Sequence, residues 1–253
     1  MIEKDYGFIL KRHNFRETSL IATIYTRRFG KISGIFKGFY TNKKEYSSPL
    51  GLFSLNEFVF YPKNNDIWLV SHADLLEDYS FPRTNIQAAK IGGFFLKVVD
   101  RAMQLWDRNI QIFDLLQRSF ISLESEKELK VFYVFLIKFL TFSGFRPELN
   151  RCIICSCNLG RGAYFSASRG GLICPACRPK VKDAKAISPQ VSKSILYIQS
   201  TGFPLVYRLS FSSRSEKEMF VLLKEFFNYH FEYKDLILPS FLLSGQKEPS
   251  SCV

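Results

Sequence analysis

The sequence predicts an α+β chain: a small β-barrel, then helices, with a metal-binding segment set among them. Three observations carry this. Five short strand-like stretches bounded by turn residues fill residues 6–76. After Pro82, apolar residues recur every three or four positions. Beyond residue 150, two Cys-x2-Cys pairs stand eighteen residues apart.

Residues 6–10 are short and apolar, and residues 20–26 (LIATIYT) are β-branched and aromatic. Residues 27–31 turn at Gly30, and residues 32–37 return. Residues 55–61 and 67–70 complete the set, separated by the turn at 62–66. Strand number and length suit an OB-fold and equally an SH3-like barrel. Phe8, Tyr25 and Phe58 are expected in the core. Phe39 and Tyr40, in a polar loop, are the better candidates for stacking on bases.

Three helical stripes follow. The first is Ile86, Ala89, Gly93, Leu96, Val99 and Met103. The second is Phe113, Leu116, Phe120 and Leu123. The third is Leu129, Phe132, Leu136, Phe139 and Phe142. Such stripes bury against one another. Gly144 and Pro147 end the third. Ser188-Pro189, an N-cap followed by proline, opens a helix through about residue 199. Ser215 with Glu218 reads as a capping box for a last helix, whose apolar face is Met219, Leu222, Phe226 and Phe227. Residues 244–253, with Cys252, read as a frayed tail.

The chain has 253 residues, 35 Lys plus Arg and 23 Asp plus Glu, a net charge of +12, with 47% apolar residues. That composition is globular. The charge is uneven. Residues 4–44 hold ten cations against Asp5 and Glu17, and residues 150–193 hold eight against Asp183. Two basic blocks around a near-neutral middle favour a polyanion partner over an ordinary solvated face. No uncharged apolar run is long enough for a membrane span, and neither a secretory leader nor a lipidation motif is visible. The expected address is the cytoplasm, with no membrane partner, where clustered cysteines point to metal rather than disulfides.

Cys152, Cys155, Cys174 and Cys177 have the spacing of a four-cysteine zinc site, each knuckle aiming two thiolates at one point. Four thiolates close the shell, so the expected Zn²⁺ is structural. Gly160, Gly162, Gly170 and Gly171 permit tight turns, and Arg151, Arg161, Arg169 and Arg178 offset the charge of such a centre. Cys157 could replace Cys155 or sit beside the site. Cys174-Pro175-Ala176-Cys177 also resembles a redox dithiol, but lacks the strand-to-helix context. No catalytic constellation is visible. His13, His72 and His230 are scattered, there is no phosphate-binding glycine loop, and no His-x-Glu precedes Pro175 as a zinc deaminase requires, so no enzyme is expected.

A small barrel carrying Lys11, Arg12, Arg16, Arg27, Arg28, Lys31, Lys37, Lys43 and Lys44 can track a phosphate backbone. Two basic surfaces could hold two strands at once.

These residues resemble the RecO family of bacterial recombination mediators. The N-terminal match is Gly7-Phe8-Ile9-Leu10-Lys11-Arg12, Phe15-Arg16-Glu17, Tyr25-Thr26, Gly30-Lys31 and Lys37-Gly38. The central match is Gly144-Phe145-Arg146-Pro147-Glu148-Leu149, followed by Phe165, Gly170-Gly171 and the second knuckle. The order of these pieces over residues 6–180 is what is specific. The sequence departs from the family where Ser156-Cys157 follows the first knuckle, and where Phe39-Tyr40-Thr41-Asn42 displaces the basic loop.

The resemblance implies an OB-fold over residues 1–80 and a helical domain from 83–149 and 186–243. It implies a zinc ribbon inserted at 150–182. It further implies binding of single- and double-stranded DNA, strand annealing, and partnership with RecR. Contact with the acidic C-terminal tail of single-strand-binding protein, so that RecA can load, is implied as well. Arg101, Arg108 and Arg118 are the partner-binding residues it suggests. The alternative is an adaptor that turns its basic surface to acidic protein tails without binding DNA. A weaker one is a zinc-ribbon RNA-binding protein.

Overall fold

The computed structural model describes residues 2–41, 46–62, 66–159 and 162–231. Lys43, Lys44, Gly160, Arg161, most of the 62–66 turn, and residues 244–253 with Cys252 lie outside the described residues. The chain divides into two compact units, Met1–Glu128 and Leu129–Val253.

The first unit begins with a closed barrel of β1 (Glu3–Phe15), β2 (Ser19–Thr26), β3 (Gly30–Phe36), β4 (Ser54–Tyr61) and β5 (Ile67–Asp78). The strand order is β1-β2-β3-β5-β4, with β1 antiparallel to both β2 and β4, and β3 parallel to β5. A meander would pair β3 with β4. The insertion of β5 between them gives the Greek-key order of an OB-type barrel.

β1 and β5 are longer than their apolar stretches suggested. β1 slips register between Ile9 and Lys11, and β5 slips twice against β4. A bulge bends its strand, so one strand can serve two neighbours around a tight barrel. Glu3–Phe8 accordingly pairs with β4 while Gly7–Phe15 pairs with β2. The interior holds Ile9, Ile24, Ile32, Phe36, Phe58, Phe60 and Val70, all buried. At Gly34 a Cβ would stand 2.7 Å from Val70 Cγ2, so the parallel β3–β5 contact requires glycine there.

Three helices follow in the same unit: α1 (Phe81–Thr84), α2 (Ile86–Ala102) and α3 (Ile110–Ser125). Asn85 and Asn109 cap α2 and α3, their side-chain oxygens accepting from Ala88 N–H at 2.9 Å and Ile112 N–H at 3.1 Å. Phe8 is buried as expected, but against the helices: its ring lies 5.2 Å from Phe113 and 5.7 Å from Phe120.

The second unit contains α4 (Glu128–Phe142) and a three-stranded ribbon of β6 (Ala163–Ser166), β7 (Gly171–Ile173) and β8 (Lys185–Ile187) in the order β7-β6-β8. It ends with α5 (Pro189–Ser200) and α6 (Ser213–His230). Every residue of α4 from Val131 to Leu140 is buried, so its aromatic stripe widens into a wholly interior helix. Ser188 caps α5 with Pro189 in the first turn, as expected.

The start of α6 corrects the expected capping box. The N-cap is Ser212, not Ser215: Ser212 Oγ accepts from Ser215 N–H at 3.2 Å. Glu218 instead accepts from the backbone N–H of Ser188, 30 residues earlier, at 2.5 Å. The serine spacing allowed either register, and the tertiary use of Glu218 decided it.

Lys138 on α4 is 4% exposed, and its ammonium donates to the carbonyl of Thr201 at 2.8 Å beneath the Phe142 and Phe203 rings. Burial pushes its pKa below the ordinary 10.5. Between the lowered folded value and 10.5, the unfolded chain binds a proton that the folded chain does not. Stability therefore rises with pH across that window. Thermal melts of wild type and Lys138→Met between pH 7 and pH 10 should converge as pH rises, with the variant melting higher at the neutral end. Parallel profiles would refute this.

Candidate metal centre and polyanion-binding surface

The metal site is assembled by backbone pairing around a glycine. Glu148 N–H donates to Gly170 O at 3.0 Å and Leu172 N–H to Glu148 O at 2.9 Å, which lays residues 148–149 beside β7. At Gly171 a Cβ would lie 2.5 Å from Glu148 O, so only glycine admits this approach. Ile153 N–H donates to Leu172 O at 2.9 Å, fixing the first knuckle next to the second. The first knuckle folds back through Ser156, which has φ +59°, and its N–H donates to Cys152 O at 2.8 Å. In the second, Arg178 N–H donates to Cys174 O at 3.0 Å. Asp183 ties the β6–β7 turn, accepting from Ser168 N–H at 2.9 Å and Ser166 Oγ at 2.7 Å. Burial pushes the Asp183 carboxyl up, but these bonds outweigh it and hold the pKa below the usual carboxylate range.

The sulfurs of Cys152, Cys155, Cys174 and Cys177 all lie within 4.8 Å of one another. Three are buried and Cys155 is exposed. Cys155 Sγ and Cys174 Sγ are 3.7 Å apart. A tetrahedron of sulfurs around an ion with ~2.3 Å bonds has edges of about 3.8 Å, so the donor set fits a tetrahedral thiolate-bound ion. Burial raises the Cys152 thiol, but backbone N–H groups of Cys174, Cys155 and Ile154 win and bring it to about 6. The site is also the centre of a small core: Ile173, Val181 and Ala184 pack with the buried cysteines, flanked by Ile153, Leu159 and Tyr164. Among the described residues, this is the one group of three or more His, Cys, Asp or Glu side chains close enough to share an ion. Cys157 is exposed and stands outside that group.

The cations of the barrel fall into two sets. Arg12, Arg16 and Lys37 are exposed. Arg12 donates to Pro49 O at 2.8 Å, and Arg16 lies over the Phe15 ring in a turn at φ +55°. Tyr40 N–H donates to Thr18 O at 3.3 Å, which brings the β1–β2 turn and the start of the β3–β4 loop together at one end of the barrel. Tyr40 is 46% exposed, and its hydroxyl donates to Asn14. Phe39 packs on the barrel core, edge-on to Phe36 at 6.2 Å.

The second set is ion-paired within the chain, although Lys11 and Arg28 remain exposed. Arg27 pairs with Asp114 at 2.6 Å, and Arg28 with Glu3 at 3.4 Å. Lys11 and Lys31 share Asp100, at 3.0 and 3.8 Å, and Lys31 also donates to Asp100 O at 2.5 Å. The Lys31 side chain is 13% exposed, and burial pushes its pKa below 10.5 against the pull of Asp100. Asp100 and Asp114 are on α2 and α3 and Glu3 is on β1, pairings that a charge count could not see.

A groove of about 310 Å³ lies in the first unit, floored by Leu10, Leu52 and Leu96 and rimmed by Lys11, Lys97 and Arg101, with Asp100 between them. Arg101 thus lines a cavity, while Arg108 and Arg118 are exposed outside it. In the second unit, Arg151, Arg169, Arg178, Lys180 and Lys182 are all exposed on the ribbon and its turns. His13 is exposed on β1, His72 lies 3.9 Å from Asp74, and His230 sits among Phe145 and Phe226 rings; no two meet in one site. No described helix is long and apolar enough to cross a membrane.

Known proteins match this arrangement along nearly the whole chain. The family described as recombination protein O N terminal matches residues 1–79, and recombination protein O C terminal matches residues 83–236. The chain is 32% identical over 215 residues to the DNA repair protein RecO of Caldicellulosiruptor saccharolyticus, covering 83% of this chain and 85% of that one. It is 28% identical over 234 residues to the DNA repair protein RecO of Syntrophus aciditrophicus, covering 89% and 90%. A barrel of OB order, the helices behind it and a four-cysteine cluster thus coincide with both family regions, and the chain belongs to the RecO family.

Proposed function

We propose that this chain is a DNA repair and recombination mediator of the bacterial cytoplasm and nucleoid. It binds single- and double-stranded DNA and anneals complementary strands. With RecR, it helps RecA load on strands coated by single-strand-binding protein. The observation that carries this is the OB-type barrel with exposed Arg12, Arg16 and Lys37 and an exposed Tyr40, in a RecO-family chain. Each phosphate neutralised there releases counterions, which drives binding and makes it salt-dependent. The exposed cations of the ribbon, Arg151, Arg169, Arg178, Lys180 and Lys182, offer a second surface for a second strand. Annealing needs only that two like-charged strands be neutralised together; no bond is made or broken by the protein. The barrel of residues 1–80 carries the primary DNA site, and residues 150–182 form the metal-stapled ribbon.

The ion of the cysteine cluster is Zn²⁺, and its role is structural. Four thiolates leave no open position for water, and softness and tetrahedral geometry suit zinc. Cys152, Cys155, Cys174 and Cys177 hold it, and Cys157 is a bystander.

The groove rimmed by Lys11, Lys97 and Arg101 suits an acidic peptide ending in an apolar residue, such as the tail of single-strand-binding protein. That groove is also what favours the second reading, an adaptor without DNA affinity. The separating experiment is fluorescence anisotropy of a labelled single-stranded oligonucleotide, and of a labelled acidic peptide, at several salt concentrations. Oligonucleotide binding whose log K falls steeply with log salt supports the mediator. Peptide binding alone, by folded metal-loaded protein, supports the adaptor.

A further inference from the structure

The segment between α2 and α3 presents a large aromatic ring to solvent under unusual constraint. Trp106 is 41% exposed and adopts φ +67°, a region that a bulky L side chain enters only when its surroundings impose it. The surroundings do impose it. Trp106 N–H donates to Lys31 O at 2.8 Å, and Leu105 bridges to Lys31. Tyr25 Oη donates to Asn109 O at 3.2 Å. At Gly30, a Cβ would stand 2.2 Å from Asp107 O, so the β2–β3 turn is shaped to receive this segment. The ring itself lies 4.8 Å from that of Trp68, tilted by 46°. Trp68 is in turn braced edge-on by Phe29 at 5.2 Å and by Phe60 at 5.8 Å. Arg28 lies over Phe29 at 4.9 Å, and Arg108, two residues beyond Trp106, is exposed.

A rigid, half-exposed indole backed by a second indole, with the exposed Arg108 two residues away in sequence, fits a nucleobase whose phosphates are bound by arginine. Burial would be the cheaper fate for a tryptophan with no ligand, and the strained backbone holds it outward instead. We infer that Trp106 is a stacking platform for a base of single-stranded DNA. The inference rests on the DNA-binding reading above and extends it to the β3 side of the barrel, away from Arg16 and Tyr40.

The chain has two tryptophans, so Trp106 emission is read as the difference between wild type and Trp106→Tyr. Both are titrated with labelled oligo(dT) and with an abasic sugar-phosphate oligomer of equal length, following both label anisotropy and indole emission. Oligo(dT) should quench Trp106 strongly, and the abasic oligomer should bind with little quenching. Trp106→Asn, a residue that tolerates positive φ, should bind oligo(dT) about tenfold more weakly and the abasic oligomer unchanged. Trp106→Tyr should restore most of the loss. If oligo(dT) binds by anisotropy without quenching, or if Trp106→Asn leaves both affinities unchanged or weakens both equally, the stacking assignment is overturned while DNA binding stands. Unchanged affinities would reassign the ring to a protein partner. If neither oligomer binds at low salt, the DNA-binding reading fails and the inference falls with it.

Discussion

Cys152→Ser combined with Cys174→Ser is expected to give protein without bound zinc and with residues 146–187 open to proteolysis. The reason is the composition of the small core there. It consists of three buried cysteines with Ile173, Val181 and Ala184, too little apolar surface to hold three short strands alone. Without an ion, the four sulfurs at mutual distances under 4.8 Å would be thiols and thiolates crowded in that core. Structural zinc contributes on the order of 10 kcal/mol to folding such segments. The loss should therefore appear as a melted segment, with a drop in Tm of about 10 °C or more. Cys157→Ser is the control: that side chain stands outside the group of four and should leave one zinc per chain in place. Metal analysis by plasma mass spectrometry, with limited proteolysis, reads both. Wild-type protein that binds no zinc when supplied with it, yet resists proteolysis as well, would remove the structural role.

Arg12→Glu, Arg16→Glu and Lys37→Glu together should cut single-stranded DNA affinity about a hundredfold or more at moderate salt, with Tm nearly unchanged. The slope of log K against log salt should become shallower by about 2, from three contacts at about 0.7 each. The choice of residues follows from exposure together with ion pairing. Charge reversal at Arg27, Arg28 and Lys31 would be harder to interpret. It sets like charges against Asp114, Glu3 and Asp100, and at the sheltered Lys31–Asp100 pair this costs about 2 kcal/mol of stability. Anisotropy and thermal melts on both triple variants separate lost contacts from lost fold. A folded Arg12/Arg16/Lys37 variant with unchanged slope would take the DNA site away from that end of the barrel.

The existence and order of the elements were legible because period and punctuation are local. The five strands, the helices after Pro82 and the Ser188-Pro189 helix start stand where residue pattern placed them. The first stripe, however, named the wrong face over the first turns of its helix. Ile86 is 72% exposed, and Ala88, Ile91, Gly92 and Phe95 are buried instead, because two apolar faces compete on α2 and the neighbouring elements choose between them. The cysteine cluster was legible for the same reason: each knuckle is four residues long. What escaped was tertiary. The extension of β1 through Lys11 to Phe15 depends on a bulge and a second partner strand, and its polar residues gave no alternation. Glu218 reads as a local cap until Ser188 is seen beside it. Lys31 and Arg27 read as free cations because their acids are 69 and 87 residues away. Trp106 falls between helical stripes and carried no signal except its size. The OB order itself rests on β5 pairing with β3, a long-range choice that strand count leaves open.

That parallel pairing sets the schedule by which the barrel can form. Antiparallel neighbours β1, β2 and β3 can zip in sequence as they leave the ribosome, through turns of three residues. β4 then reaches back across about 50 residues to the free edge of β1, while β3 still lacks its second neighbour. Closure waits for β5, which must enter between β3 and β4 and meet Gly34 at Trp68. Until residue 78 has emerged, the nascent chain exposes two unpaired sheet edges rich in Ile, Val and Phe, the condition under which strands add to the wrong neighbour. The lysines and arginines concentrated in the first 44 residues therefore serve the newborn chain as well as the finished one, keeping like-charged copies apart while those edges are open.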